Sequence, residues 1–349
     1  MANFDYSKRL DNLKKRRQED GELIKKSHFG EYEVIKESYE ELKESSTIKY
    51  AIGAMNPVDL KYTHNTILEG ERVKNQLSKL KDSGFNVEFQ YQGSVTNNTH
   101  IKAHSDIDVL TLHSGFYTLE IPQKPTYPYA GDPVKDLCEL REDCYSILSS
   151  AFPAAEIDNS GAKSIGLQGG SLRRKVDVVP SNWYNTILYS QTGEEYHRGV
   201  MVLDYHNKTR LANTPFYHNK LLNDKDLQTA TNYKKVVRLL KTLKADSDAK
   251  INLSSYDIAA LMYHQDNSSY LVGHSPLRII TNSLSFLKNV YHNKSYRTNL
   301  LVPDKSRAIF ERATVNDLEL MIFELDKMAQ DIINDLSASG STIHKEIVA

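Results

Sequence analysis

Three aspartates stand where acids are costly. Asp106 and Asp108 in SDIDVLTL are separated by one apolar residue, and Asp177 in KVDVVP lies between Val176 and Val178. In a strand, side chains two apart share a face, so Asp106 and Asp108 point together while Ile107 and Val109 turn to the core. Carboxylates that close cannot all ionise without a cation or a raised pKa. Three of them on adjacent strands suit a pair of hard divalent ions, which take oxygen ligands and clamp the attacking and leaving oxygens of an in-line phosphoryl displacement. Gly93-Ser94 lies just ahead. A glycine lets the backbone approach a phosphate closely, and turn N–H groups with the Ser94 hydroxyl supply neutral donors to a triphosphate. Asp-x-Asp alone is common at strand ends, and Gly-Ser alone is a turn. Their order, followed by a third flanked aspartate, is specific.

Positioning these residues requires strands with helices behind them. YTHNTILEGERVKNQLSKLK (62–81) has helical spacing at Ile67, Val73, Leu77 and Leu80, and Asp82-Ser83-Gly84 stops it. Val87, Phe89 and Tyr91 then alternate as a half-buried strand running into Gly93. A second strand begins at Asp106, a helix covers about 133–150, and a third strand, 175–180, ends at Pro180. Residues 183–224 read as irregular, and residues 4–46 as charge-dense exposed helix. From Thr229 the chain turns helical: YKKVVRLLKTLK is amphipathic, pieces near 256–264, 276–291 and 316–337 follow, and Thr314 with Asp317 forms a capping box. The fold class is α/β (α+β), a mixed-sheet lobe followed by a helical lobe with the active site in the cleft between them. Boundaries are expected at an N-terminal helical segment (1–60), a catalytic core (61–225), a helical lobe (226–338) and a flexible tail (339–349).

The sequence from Gln92 to Val109, with KVDVVPSNWY, LANTPFYHNKLLNDKDLQTATNYKKVVRLLKTLKAD and INLSSYDIAALMYH, resembles the DNA polymerase β-like nucleotidyltransferases, and among them the bacterial cGAS/DncV-like enzymes. The resemblance implies that Asp106, Asp108 and Asp177 carry two magnesium or manganese ions and that Gln92, Gly93 and Ser94 hold nucleotide phosphates. It also implies that a lysine of the VVRLLK helix, Lys241 or Lys234, and the Ser255-Tyr256 pair reach the donor nucleotide. Lys234, Arg238 and Lys241 share a helix face, which in itself reads as a solvated stripe. Tyr256 has the shape to stack on a base, or to anchor packing. Arg173-Arg174-Lys175 reads as a strand edge, His104 as loop surface, and Trp183 with Tyr184 as packing between lobes. Some bacterial relatives are joined to a target through their last residue by an E1/E2-like partner, which places Ala349 as an attachment point.

Composition limits the partners. Lys+Arg 44 against Asp+Glu 45 leaves a net charge of −1, so there is no global basic field for a polynucleotide. With no DNA-binding face and no zinc-bearing Cys/His insertion, an obligate DNA activator is not expected. The two cysteines, Cys138 and Cys144, have no Cys/His cluster around them and read as small hydrophobes. No stretch reads as a membrane span or signal peptide, so a cytoplasmic enzyme is expected. The function expected is a cyclic oligonucleotide synthase that joins nucleoside triphosphates such as ATP and GTP, with a downstream effector sensing the product in anti-phage defence. Transfer to a tRNA 3′ end, a linear oligoadenylate or a small molecule is the enzymatic alternative. A catalytically silent nucleotide-binding scaffold is the non-enzymatic one.

Overall fold

A computed structural model describes residues 4–18, 37–103, 105–273, 275 and 277–338. His104 and Ala349 lie outside them. Seven strands form one mixed sheet: β1 (Val87–Gln92), β2 (Ile107–Leu119), β3 (Glu156–Asp158), β4 (Ile165–Gln168), β5 (Val176–Asn185), β6 (Gly199–Asp204) and β7 (Thr209–Asn213). Their order is β1-β2-β5-β4-β3, with β6 pairing β5 and β7 pairing β6. The central pair, β2 and β5, runs parallel, whereas β1 joins β2 antiparallel.

Strand alternation separates the two sheet faces. Ile107, Val109, Val176 and Val178 pack under α3 (Leu60–Leu77) and α4 (Pro133–Ala151), which contribute Val73, Leu77, Leu140 and Cys144. The opposite face begins with the acids and continues as Leu110, Leu112, Val179 and Trp183, a smaller cluster capped by Phe216. That phenylalanine belongs to α6 (Pro215–Gln228), which follows the short α5 (Ile187–Thr192). The helical core gathers α7 (Asn232–Asp246), α8 (Ser255–Tyr263), α9 (Arg278–His292) and α11 (Val315–Ala338), with the short α10 (Lys294–Thr298) at its side. α1 (Tyr6–Arg17) and α2 (Ser46–Met55) insert Leu13, Ile48 and Tyr50 into that same core. None of the helices in the described residues is long and apolar enough to cross a membrane.

Several sequence expectations need correction. α1 is not an exposed helix: Arg9 is buried in an ion pair with Glu324 at 2.7 Å, and Arg16 meets Asp246 at 2.5 Å. Charge density misleads there because the charges are partnered inside. Ile67 stays exposed, since Thr66, Gly70, Val73 and Leu77 form the buried stripe of α3. Residues 183–224 are ordered as α5, β6, β7 and most of α6. β5 does not stop at Pro180. Along its other edge β4 pairs no further than Val178 and β6 starts at Ser181, so the missing N–H of Pro180 falls where that edge changes partner. Trp183 does not bridge lobes: it is buried between sheet and α6, its indole N–H donates to Glu88, and Arg198 lies 4.1 Å from the ring centre.

Gly70 sets the fit of α3 on the sheet. A Cβ there would stand 2.8 Å from the Tyr91 ring and 3.3 Å from Ile107. Gly70→Ala is therefore expected to cost about 1–3 kcal/mol by overpacking, read as a lower Tm in calorimetry, despite the higher helix propensity of alanine.

Candidate active site

Parallel register places the acids. Asp108 is paired with Asp177 across β2 and β5, and on its other side with Gln92, the last residue of β1. Asp106 sits one residue before β2. Gly93 leaves β1 at φ +97°, a conformation glycine adopts freely, and a Cβ there would come within 3.1 Å of Asp108 Oδ2. The chain then turns over: Thr99 N–H donates to the Ser94 carbonyl and the Thr96 hydroxyl to that of Gly93. That fold-back returns the loop to the acids.

One cleft of about 440 Å³ is lined by Gly93, Ser94, Asp106, Asp108, Asp177, Lys241 and Ser255. Asp108 also borders two further cavities, of about 280 Å³ and 850 Å³. Gln92 and Tyr256 line both of these. Of the residues expected from sequence to hold metal or nucleotide, Lys234 alone is absent from all three. Its ammonium is held by Asn223 Oδ1 at 2.7 Å, with Asp226 at 3.8 Å, so it fastens α7 to α6.

The basic stripe of α7 is not a solvated face. Lys234, Arg238 and Lys241 are all buried, and the last two grip the loop beyond Ser94. Arg238 donates to the carbonyls of Met55 and Asn98 at 2.8 and 2.7 Å. Lys241 donates to the Thr99 carbonyl at 2.6 Å while lining the cleft. Burial, reinforced by the charges of Arg238, Lys244 and Lys102, pulls the Lys241 pKa down to about 8. Lys102 and Lys244 line the same cleft and went unnoticed in the sequence, although Lys244 follows Lys241 at helical i,i+3 spacing.

The acids carry the opposite strain. Burial, then the charges of Asp177 and Asp106, push the Asp108 carboxyl up to about 7 against the pull of Lys175. Lys175 is more than a strand edge: its ammonium lies 2.8 Å from Asp177 Oδ2 and 3.9 Å from Asp106 Oδ2. Among the described residues no three His, Cys, Asp or Glu side chains are already gathered as a metal-ligand group. Asp106, with its side chain 56% exposed, is turned outward, so the trio shares a cleft without closing on a common point. The donors themselves, carboxylate oxygens that repel one another around a buried member, suit a hard cation.

Tyr256 stacks on His218 at 4.2 Å and 20°, its hydroxyl donating to Asp304, which also accepts from Thr214. Burial draws the His218 pKa down to about 4, so the stack is uncharged near neutrality. This His–Tyr wall, with Asn97 and Asn219 hydrogen-bonded at 2.9 Å across the smaller cavity, could not be seen from spacing because its members come from separate elements.

Strand-borne acids beside a glycine turn, faced by lysines from a helical lobe, define a nucleotidyltransferase. Residues 220–330 match the cGAS/DncV-like nucleotidyltransferase C-terminal helical domain. The cyclic dinucleotide synthase CdnE of Yersinia aleksiciae is 37% identical over 310 residues, 86% of this chain and 80% of that one. A c-di-GMP synthase from a Lachnospiraceae bacterium is 30% identical over 75% of this chain and 80% of its own length. The solved structure of the STING-associated CdnE c-di-GMP synthase from Capnocytophaga granulosa superposes with a TM-score of 0.75 at 28% identity, covering 96% of this chain and 100% of that one. The chain belongs to the cGAS/DncV-like nucleotidyltransferases. The cyclic oligonucleotide synthase expected from sequence is the class these relatives carry.

If Lys241 meets the triphosphate, its ammonium must be protonated to bind. Nucleotide affinity, followed by calorimetry, is then expected to weaken as pH rises through about 8. Lys241→Met should lose about 1.5–3 kcal/mol, about 10- to 100-fold in Kd, and should flatten that dependence.

Proposed function

We propose that this enzyme is a cyclic dinucleotide synthase that joins guanine nucleotides in a divalent-metal-dependent reaction. The observation that carries the reading is the place of Asp108, at the junction of three cavities that also hold Asp106, Asp177, Gly93 and Tyr256 between them. Two nucleotides can meet at one acid only if room opens on more than one side of it. The c-di-GMP synthases among the relatives support guanine and a two-membered ring. A cytoplasmic setting, and an effector that senses the product in anti-phage defence, complete the proposal.

Asp106, Asp108 and Asp177 would hold two magnesium ions, which when bound neutralise the polyphosphate and the charge of the displacement. The Gly93-Ser94 turn orients one triphosphate through neutral donors, and Lys241, Lys244 and Lys102 offset its charge from the helical side. The ribose hydroxyl of the second nucleotide forms a bond to the α-phosphorus as the bond to pyrophosphate breaks, and the hydroxyl proton is released to water. A second transfer closes the ring. Alignment and fixed charge carry the rate.

Asp108→Asn provides the test, with two readouts. Loss of several kcal/mol of transition-state stabilisation should cut pyrophosphate release from GTP with magnesium by about a thousandfold. The same variant should melt higher than the parent without metal at pH 8. A carboxyl whose pKa rises on folding to about 7 takes stability away as pH climbs from the unfolded value to that point. The gain should vanish near pH 4. Mass analysis of the product decides the rest: a linear oligomer or a labelled macromolecule would overturn the cyclic reading.

A further inference from the structure

Lys175 is a cation beside the acids that the chemistry above does not use. It stands two residues before Asp177, on the same side of the chain, and bends back onto that acid. Its ammonium is 2.8 Å from Asp177 Oδ2, a hydrogen bond, and 3.9 Å from Asp106 Oδ2, a looser ion pair, so one cation serves two of the three acids. β4 is shaped for it. A Cβ on Gly166 would come within 3.2 Å of Asp177 Oδ1, a tight approach, and would touch Lys175 Cε at 3.4 Å. Burial works against the charge, yet the hydrogen bond to Asp177 and the fields of Asp177, Asp106 and Asp108 raise the Lys175 pKa. The side chain is nonetheless 39% exposed, on a flexible stem that can leave toward solvent.

We propose that Lys175 is a resident counter-ion of the acid trio, which occupies Asp106 and Asp177 in the metal-free enzyme and is displaced when a divalent ion binds. The inference rests on those acids being the metal ligands. An ammonium hydrogen-bonded to Asp177 and a metal liganded by the same oxygen exclude one another, so each lowers the apparent affinity of the other. Lys175 thus has two effects. It relieves the repulsion that would otherwise destabilise the metal-free fold, and it weakens capture of a bare ion. An ion delivered with a triphosphate escapes this penalty in part, because the expelled ammonium finds a polyanion beside it. The enzyme would favour metal that arrives as a nucleotide complex.

The experiment is a Mn2+ titration of the full-length, nucleotide-free protein, following free Mn2+ by electron paramagnetic resonance. Lys175→Met is expected to bind Mn2+ about 3- to 10-fold more tightly than the parent, and Lys175→Arg to stay near it. In thermal melts without metal, Lys175→Met should fall below the parent and regain the difference in Mn2+. Lys175→Gln serves if the methionine variant does not fold. Equal or weaker Mn2+ binding by the uncharged variant would overturn the proposal. Asp177→Asn separates the two levels of the argument. If the parent binds Mn2+ and Asp177→Asn does not, the metal site stands whatever Lys175 does. If the parent binds no better than Asp177→Asn, the ligand assignment itself fails, and this inference with it.

Discussion

Repulsion among carboxylates governs this molecule. The sheet forces Asp108 and Asp177 side by side by pairing two parallel strands in that register, and it sets the first of them, half-buried, against Gly93. A fold that spends stability on such a cluster must surround it with compensating charge, and the surroundings are consistent with that. Lys175 supplies a cation from just before β5, while Lys102, Lys241 and Lys244 line the cleft from the loop and from α7. Burial, with the charges of Asp177 and Asp106, outweighs the pull of Lys175, and the Asp108 carboxyl remains well above the ordinary carboxylate range.

Backbone carbonyls of the sheet lobe's loop accept from buried cations of the helical lobe. Arg238 and Lys241 reach from α7 to Asn98 and Thr99, while the Arg16 carbonyl of α1 accepts the Ala103 N–H. The loop between the glycine turn and the first aspartate is thereby held at three points by helical elements. Its own turns fold it back, and these outside grips fix where it lies.

What the sequence revealed and what it concealed divide along one physical line. Period-two alternation with misplaced acids exposed β1, β2 and β5, since a strand buried on one face has few other ways to be written. Gly93 was legible for the same reason: one residue type fits a positive φ beside a carboxylate. The basic stripe on α7 was visible as a pattern but its burial was not, because a helical wheel cannot tell water from a neighbouring loop. Lys234 and Lys241 look equivalent on that wheel, and only the position of Asn223 separates them. Pro180 misled because a proline signals a strand end unless both sheet edges are known. The His218–Tyr256 stack joins α6 to α8, a contact that no local period records.

Arg238 carries one more implication. Its guanidinium holds the carbonyl of Met55 at the end of α2 and that of Asn98 beyond the glycine turn. Two stretches of chain far apart in sequence are thus pinned to a single planar group, and α2 is packed between α1 and α7. A shift of α2 against α7 would therefore be felt in the loop that borders the cleft through one planar group, without passing through the sheet.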